Sequence, residues 1–242
     1  MMSGADYHSD RLLLPDIARS VALCAMIVFH LVRDLEVFGI LARGTTLNDG
    51  WTIFARSIAA SFLFLSGVSL VLAHSRGFRT GAWARRVIVI AGAACLVSLA
   101  TYIAMPSNFV FFGILHAIAV ASVLGVPFLF TAAWVPMLCA AAILLAFITS
   151  ARSVFQSGWL AWTGLGMEVR PSMDFIPMVP WLAPFLLGIA VAKFAPPVRL
   201  EPRWPQCFPV QALAWPGRHS LAVYLVHQPV LLALVWATAQ VT

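Results

Sequence analysis

The sequence predicts an all-α, polytopic transmembrane bundle of about seven helices, and three observations support this fold class. Hydrophobic residues make up 62% of the 242 positions, and the mean hydropathy is +0.93. Only 10% of the residues are charged, whereas soluble domains contain about 25% charged residues. Apolar segments also recur along the chain at the length of about 20 residues that a helical membrane crossing requires.

Seven apolar segments are predicted to span the membrane within a single domain, residues 1–242. The fourth and fifth are separated only by a turn near Phe130–Ala133. Residues 151–176 are too polar to span, and their tryptophans are typical of the membrane interface. Residues 195–217 contain six prolines and predict an extended surface linker. The predicted helices are 14–40, 51–74, 85–105, 109–131, 133–150, 177–195 and 218–240.

The distribution of basic residues predicts an N-in, C-out orientation, because cytoplasmic loops are enriched in lysine and arginine. The N-terminus lacks the basic-then-apolar pattern of a cleaved signal peptide, so the first helix is predicted to be retained. The side predicted to be cytoplasmic carries Arg11, Arg76, Arg79, Arg85, Arg86, Lys193, Arg199, Arg203 and Arg218. The opposite side carries Arg43, Arg152 and Arg170.

Cysteine spacing and net charge restrict the kinds of site and partner that the sequence predicts. The four cysteines are scattered without a CxxC motif or a Cys/His cluster, so neither a disulfide framework nor a metal site is predicted. The net charge of +6 is attributed to the basic cytoplasmic loops, and no nucleic-acid partner is predicted.

The first predicted helix carries five ionisable residues: Asp16, Arg19, His30, Arg33 and Asp34. Arg19 and His30 lie eleven positions apart, which on an α-helix corresponds to about 20° in direction and about 16 Å in depth. Asp16 and Asp34 lie one turn beyond them on the same face. Arg19 therefore cannot pair with His30, and the two residues are predicted to have different roles.

A cation at the cytoplasmic end of this face is suited to binding a phosphate-bearing or thioester carrier. A deeper histidine suits proton transfer, and a carboxylate one turn away could orient its ring. The structural alternative, in which these residues only pair with neighbouring helices, stays open.

Three residues on other helices are further candidates at matching depth. Arg56 could be a counter-ion for Asp34. His116 enters from the outer side, and His227 lies near the middle of the last helix. Each histidine could instead be a satisfied hydrogen-bonding residue between helices.

Five segments, in order along the chain, resemble a known family of membrane acetyltransferases. Arg19 and His30 are separated by ten residues, and this arginine–histidine spacing resembles the signature of the acyltransferase-3 family. The chain is more similar still to the DUF1624 group of bacterial membrane proteins, which is related to heparan-alpha-glucosaminide N-acetyltransferase. The matching segments are "HLVRDLEVFG" (30–39), "FARSIAASFLFLSGVSL" (54–70), "NFVFFGILHAIAVA" (108–121), "DFIPMVPWLAPFLLGIA" (174–190) and "GRHSLAVYLVHQPVLL" (217–232).

The resemblance implies an enzyme of a bacterial cytoplasmic membrane that takes an acyl group, usually acetyl, from acyl-CoA. The acceptor would be a hydroxyl or amine, often on a sugar. Arg19 would bind the donor, and His30 would be the general base or a transient acyl carrier oriented by Asp34. The expected partners are the lipid bilayer, acyl-CoA and this acceptor, and a homodimer is left open. The pocket would be lined by Arg56, His116 and His227.

The chain departs from the family at one position. The lysosomal relative places its catalytic histidine in the loop after the first helix and has asparagine where His30 stands here. Loop 41–50 of this chain contains no histidine, and Asn48 and Asp49 are its only polar candidates. Either His30 has taken over the role or this branch does something else.

Two other functions compete with the enzyme. A proton-coupled carrier could use His30 and Asp34 as a relay, although no internal repeat of the kind found in many carriers is evident. A partner subunit of an envelope-modifying complex could use the polar face of the first helix as a contact surface.

Overall fold

The structure is a computed structural model that describes residues 12–149, 158–166, 171–195 and 208–240. Within these ranges the secondary structure is helical, apart from isolated bridge residues such as the pair Phe112 and Phe175, which confirms the all-α class. Short 3-10 turns occur at Thr45–Leu47 and Gly158–Thr163. The α-helices are α1 (Leu13–Val37), α2 (Asp49–Ala73), α3 (Thr80–Ala104), α4 (Ile114–Leu124), α5 (Val126–Leu129), α6 (Trp134–Ile148), α7 (Met178–Phe194), α8 (Phe208–Arg218) and α9 (Ser220–Ala239).

Four of the described helices, α1, α2, α3 and α9, are long and apolar enough to cross a membrane. Helices α4, α6 and α7 are apolar but shorter. The 17 residues of α7 extend over about 26 Å, slightly less than the roughly 30 Å hydrocarbon core. The count of seven crossings and the N-in, C-out orientation stay predictions.

Three of the predicted boundaries are wrong. The helix predicted over 85–105 begins at Thr80, so that Arg85 and Arg86 lie inside α3. The predicted helix 109–131 begins at Ile114, because the residues before it are extended and pair with residues 173–176. The predicted linker 195–217 contains α8, while its residues 196–207 lie outside the described ranges. Pro209 is tolerated because it lies in the first helical turn, where its missing N–H has no partner to lose, and Pro216 lies in the last turn, just before α8 ends.

Helix α8 lies directly on the start of α1. The backbone N–H of Gly217 donates to Ser20 Oγ at 2.8 Å, and both residues are buried. A Cβ atom at Gly217 would collide with the carbonyl oxygen of Asp16, so only glycine permits this approach. The contact brings the end of α8 to the polar face of α1.

Helices α2 and α7 cross at two glycines. A Cβ atom at Gly67 would collide with the carbonyl oxygen of Phe185, and one at Gly188 with that of Phe64. Close backbone approach through small residues is typical of helix pairs in membranes. The core around this crossing includes the fully buried side chains of Leu63, Leu70, Phe185, Leu186 and Ile189.

We expect Gly67→Ala to lower the free energy of unfolding by about 1–3 kcal/mol, because the added methyl group meets backbone atoms that cannot rotate away. Thermal unfolding in detergent measures the effect. Gly92→Ala on α3 is the matched control, since a Cβ atom there meets nothing within 4 Å. Equal stability of the two variants would contradict the packing account.

Candidate active site

A cavity of about 1050 Å³ opens among α1, α2, the α2–α3 connection, α3, α4 and the α8–α9 junction. Among the described residues, its lining carries five positive charges and a single carboxylate, that of Asp16. Arg76 and Arg79 are exposed at the α2–α3 connection. We call this space the arginine cavity, and its arginines are Arg19, Arg76, Arg79, Arg86 and Arg218.

The buried carboxylate of Asp16 holds two of these arginines. Arg19 donates from one guanidinium nitrogen to Asp16 Oδ1 at 2.9 Å and from another to Ser69 Oγ. Arg218 Nε lies 3.6 Å from Asp16 Oδ2. The one-turn spacing of Asp16 and Arg19 therefore forms an ion pair that fixes the first arginine at the cavity wall.

Arg86 projects from α3 into the same cavity. Its guanidinium donates to Ser66 Oγ at 3.0 Å and to the Ser66 carbonyl oxygen at 3.4 Å. Among the described residues no carboxylate forms a salt bridge with it. A partly buried guanidinium bonded only to neutral oxygens is a favourable site for an anionic ligand.

Two histidines form a second cluster between α1 and α9. The ring centroids of His30 and His227 lie 5.1 Å apart. Neither residue lines the arginine cavity. The predicted separation of Arg19 from His30 is thus visible as two distinct environments on one helix.

Asp34 is buried one turn beyond His30. Gln228 donates from Nε2 to the two carboxylate oxygens of Asp34 at 2.9 and 3.2 Å. The described hydrogen bonds do not join Asp34 to His30, so orientation of His30 by this carboxylate stays a prediction.

The hydrogen bond of His227 defines its tautomer. Nδ1 lies 2.6 Å from the backbone carbonyl oxygen of Tyr224, and a carbonyl oxygen can only accept. Nδ1 therefore carries the proton, and Nε2 keeps its lone pair. Nε2 is buried and makes no hydrogen bond within the described part of the chain. A base with this geometry can accept a proton from a reacting group.

Tyr224 connects the two environments. Its side chain lines the arginine cavity, and its ring centroid lies 5.6 Å from that of His227. The same side chain packs against all three hydrophobic clusters of the bundle. Tyr224 therefore contacts both the arginine cavity and His227.

The structure does not bring Arg56 and His116 to these groups. Arg56 is exposed on α2 and does not line the cavity, while Asp34 has Gln228 as its partner. His116 accepts the N–H of Gly113 at Nδ1 (3.2 Å), and its Nε2 lies 3.3 Å from Ser98 Oγ. Both ring nitrogens of His116 thus have local partners at the start of α4.

The loop candidates Asn48 and Asp49 lie at the start of α2. Asn48 Oδ1 accepts the backbone N–H of Trp51 at 3.1 Å and caps the helix. Asp49 is exposed in the first helical turn, where a negative charge is favourable. Glu36 fixes the loop itself by accepting the N–H groups of Gly44 and Thr46.

Asp174 anchors the segment before α7 to the start of α4. Its Oδ2 accepts the backbone N–H of Ile114 at 2.9 Å, and a Cβ atom at Gly113 would collide with the carboxyl. Burial raises the pKa of the Asp174 carboxyl to about 6, although the bond from Ile114 favours the charged form.

We expect Asp174→Asn to remove part of the pH dependence of stability. The pKa of Asp174 in the folded protein, about 6, exceeds the ordinary value of 3.8. The wild type therefore binds more protons when folded and loses stability, on the order of 1–3 kcal/mol, as the pH rises from about 4 to 7. The asparagine variant should show a flatter profile in thermal unfolding. An unchanged slope between pH 4 and 7 would contradict the assignment.

Sequence reasoning missed Tyr224 and Gln228, and it assigned four arginines of the cavity only to basic loops: Arg76, Arg79, Arg86 and Arg218. Tyr224 precedes His227 by three positions, a spacing that places both on one face of α9 and was available as a signal. Arg86 carried no such signal, since its neighbour Arg85 is equally basic and only the structure shows that Arg85 is exposed.

These features define a helical integral membrane protein with a polybasic cavity and a partly buried histidine pair. A family model described as heparan-alpha-glucosaminide N-acetyltransferase, catalytic, matches residues 11–229, and the chain therefore belongs to this family. It is accordingly a membrane enzyme of the N-acetyltransferase type. The relation to the acyltransferase-3 family stays a prediction. Comparison with curated proteins and with solved structures gives no match.

Proposed function

We propose that this protein transfers an acyl group, with acetyl as the primary substrate, from acyl-CoA to a hydroxyl or amine acceptor carried on a sugar or another small molecule. The observation that carries the proposal is the arginine cavity. Its five arginines and single carboxylate match a donor with several phosphate charges. The basic side would face the cytoplasm of a bacterium, where acyl-CoA is made.

In this proposal the phosphates of the donor lie against the arginines, and its thioester end points to Tyr224. Arg19 and Arg218, held by Asp16, would bind one part of the donor. Arg86, bonded only to Ser66, would bind another and gain the counter-ion that the described residues do not supply. Serine hydroxyls between the arginines add neutral donors for phosphate oxygens.

The histidine pair would carry out the transfer. With His30 as general base, His30 takes the proton from the acceptor, the acceptor oxygen or nitrogen attacks the acyl carbonyl, and the CoA thiolate leaves and is then protonated. With His30 as acyl carrier, the acyl group first moves to its ring nitrogen and CoA leaves. The acceptor then takes the acyl group while His227 Nε2 receives its proton.

Labelled acetyl-CoA tests the proposal with the protein purified in detergent. We expect saturable binding of acetyl-CoA and weak binding of acetyl-pantetheine, which keeps the thioester but lacks the nucleotide phosphates. Equal binding of the two donors would contradict the role of the arginines. Protein-bound label after removal of free donor would identify an acyl carrier, and its absence during turnover would favour the general base.

Proteoliposomes separate the enzyme from the carrier alternative. An enzyme of this kind gives no proton flux when acyl donor is absent. Proton flux without any donor, together with no binding of acetyl-CoA, would replace the proposal by a proton-coupled carrier.

A further inference from the structure

The arginine cavity has two ends of different chemistry. The arginines, Ser69 and Ser75 form a polar end near the α2–α3 connection. The other end is apolar, and the side chains there come from α2, α3, α4 and α9. The apolar lining is formed by Phe62, Ile90, Ile114, Leu115, Ile118 and Leu221. A ligand with a charged head and an apolar tail would therefore have one preferred direction in this space.

Tyr224 lines the apolar end of the cavity, on the side of His227. It lines the cavity, whereas His227, one turn further along α9, does not. Its ring is 5.6 Å from the ring of His227, which in turn is 5.1 Å from that of His30. The aromatic ring is thus part of the cavity wall on the side of His227.

The position of this wall is fixed by packing. Tyr224 contacts the cluster around Leu63 and Phe185, the cluster around Leu23 and Met26, and the cluster around Ala93 and Ala94. A side chain held by three clusters cannot turn aside without disturbing several helices. The space in front of the ring is therefore limited for a tail that enters from the polar end.

We propose that Tyr224 is the residue that determines acyl-chain length. Its ring limits the apolar end of the cavity, so that a short acyl group fits in front of the ring and a longer one does not. This inference rests on the proposed use of acyl-CoA and adds the basis of donor selection.

The expected size of the effect follows from apolar burial. Each additional methylene group that is buried strengthens binding about four-fold. A donor with two to four additional methylene groups would therefore gain roughly 10- to 200-fold relative to acetyl when the ring is removed.

The experiment compares acetyl-, butyryl- and hexanoyl-CoA as donors for wild type, Tyr224→Phe and Tyr224→Ala. We expect the phenylalanine variant to retain the preference for acetyl-CoA because the ring is kept. The alanine variant should raise kcat/KM for hexanoyl-CoA relative to acetyl-CoA at least ten-fold. Tyr102→Ala on α3 is the matched control, since Tyr102 is 54% exposed and does not line the cavity. Binding of free CoA should be the same in all four proteins.

The outcomes separate this inference from the proposed function. If wild type uses acetyl-CoA and Tyr224→Ala keeps the wild-type donor profile, the role of Tyr224 is wrong while the acyltransferase stands. The same conclusion follows if Tyr224→Phe shows the profile of the alanine variant. If wild type neither binds nor uses any acyl-CoA, the proposed function itself fails. Where the alanine variant does not fold, Tyr224→Leu provides the comparison without the ring.

Discussion

Replacing His30 with alanine is expected to lower the rate of acyl transfer by roughly 10²–10⁴-fold, the usual contribution of a positioned general base. Binding of acetyl-CoA should be unchanged, because His30 does not line the arginine cavity. The effect should therefore appear in kcat and leave the dissociation constant for the donor unaltered. Initial rates and equilibrium binding with the purified protein measure the two quantities.

His219→Ala is the control for this prediction. His219 is exposed at the junction of α8 and α9, and its Nδ1 lies near the carbonyl oxygen of Trp215. The substitution removes an imidazole from the same chain without touching the histidine pair. Full turnover of His30→Ala, with wild-type thermal stability, would exclude His30 as the catalytic histidine.

The second large effect is expected for Arg86→Gln, which should weaken binding of acetyl-CoA by roughly 10- to 100-fold. Hydrogen bonds to charged groups contribute about 1.5–3 kcal/mol, and Arg86 presents its charge to the cavity without a carboxylate among its described partners. Glutamine keeps a polar group that can bond to Ser66. The loss of affinity for acetyl-CoA should therefore result from removal of the positive charge.

Arg85→Gln makes the same change of charge one position earlier on α3. Arg85 is exposed and does not line the cavity, so its replacement should alter the affinity for acetyl-CoA less than two-fold. Equal losses for the two variants would indicate a diffuse electrostatic effect of the basic surface. High salt should then remove both losses to a similar extent.

Much of the fold was predictable because bilayer crossing imposes a strong constraint on local composition. Helices occur at all seven predicted positions, and the turn after α5 lies at residues 130–133 as expected. Helix α8 was not predictable from composition, since its prolines favour an extended segment. Its position depends instead on the contact of Gly217 with α1, which a one-dimensional pattern cannot show.

The candidate site was predictable along one helix and not between helices. The spacing along α1 places Arg19 and His30 in different environments and brings Asp16 within reach of Arg19. The partner of Asp34 was expected to be Arg56, but the described structure gives Gln228. Depth in the membrane restricts which residues can meet, and several residues share each depth, so packing decides the actual pair.

The hydrogen bond between Asp34 and Gln228 also has a consequence for the biosynthesis of the protein. The two residues are 194 positions apart, on the first and the last of the described helices. A nascent chain that has inserted α1 to α7 already holds Arg19 and Arg86 but still lacks Arg218, Tyr224, His227 and Gln228. The donor space and the histidine pair are completed by the same final segment. If the proposed function is correct, an unfinished polypeptide therefore has no assembled centre that could consume acyl donor.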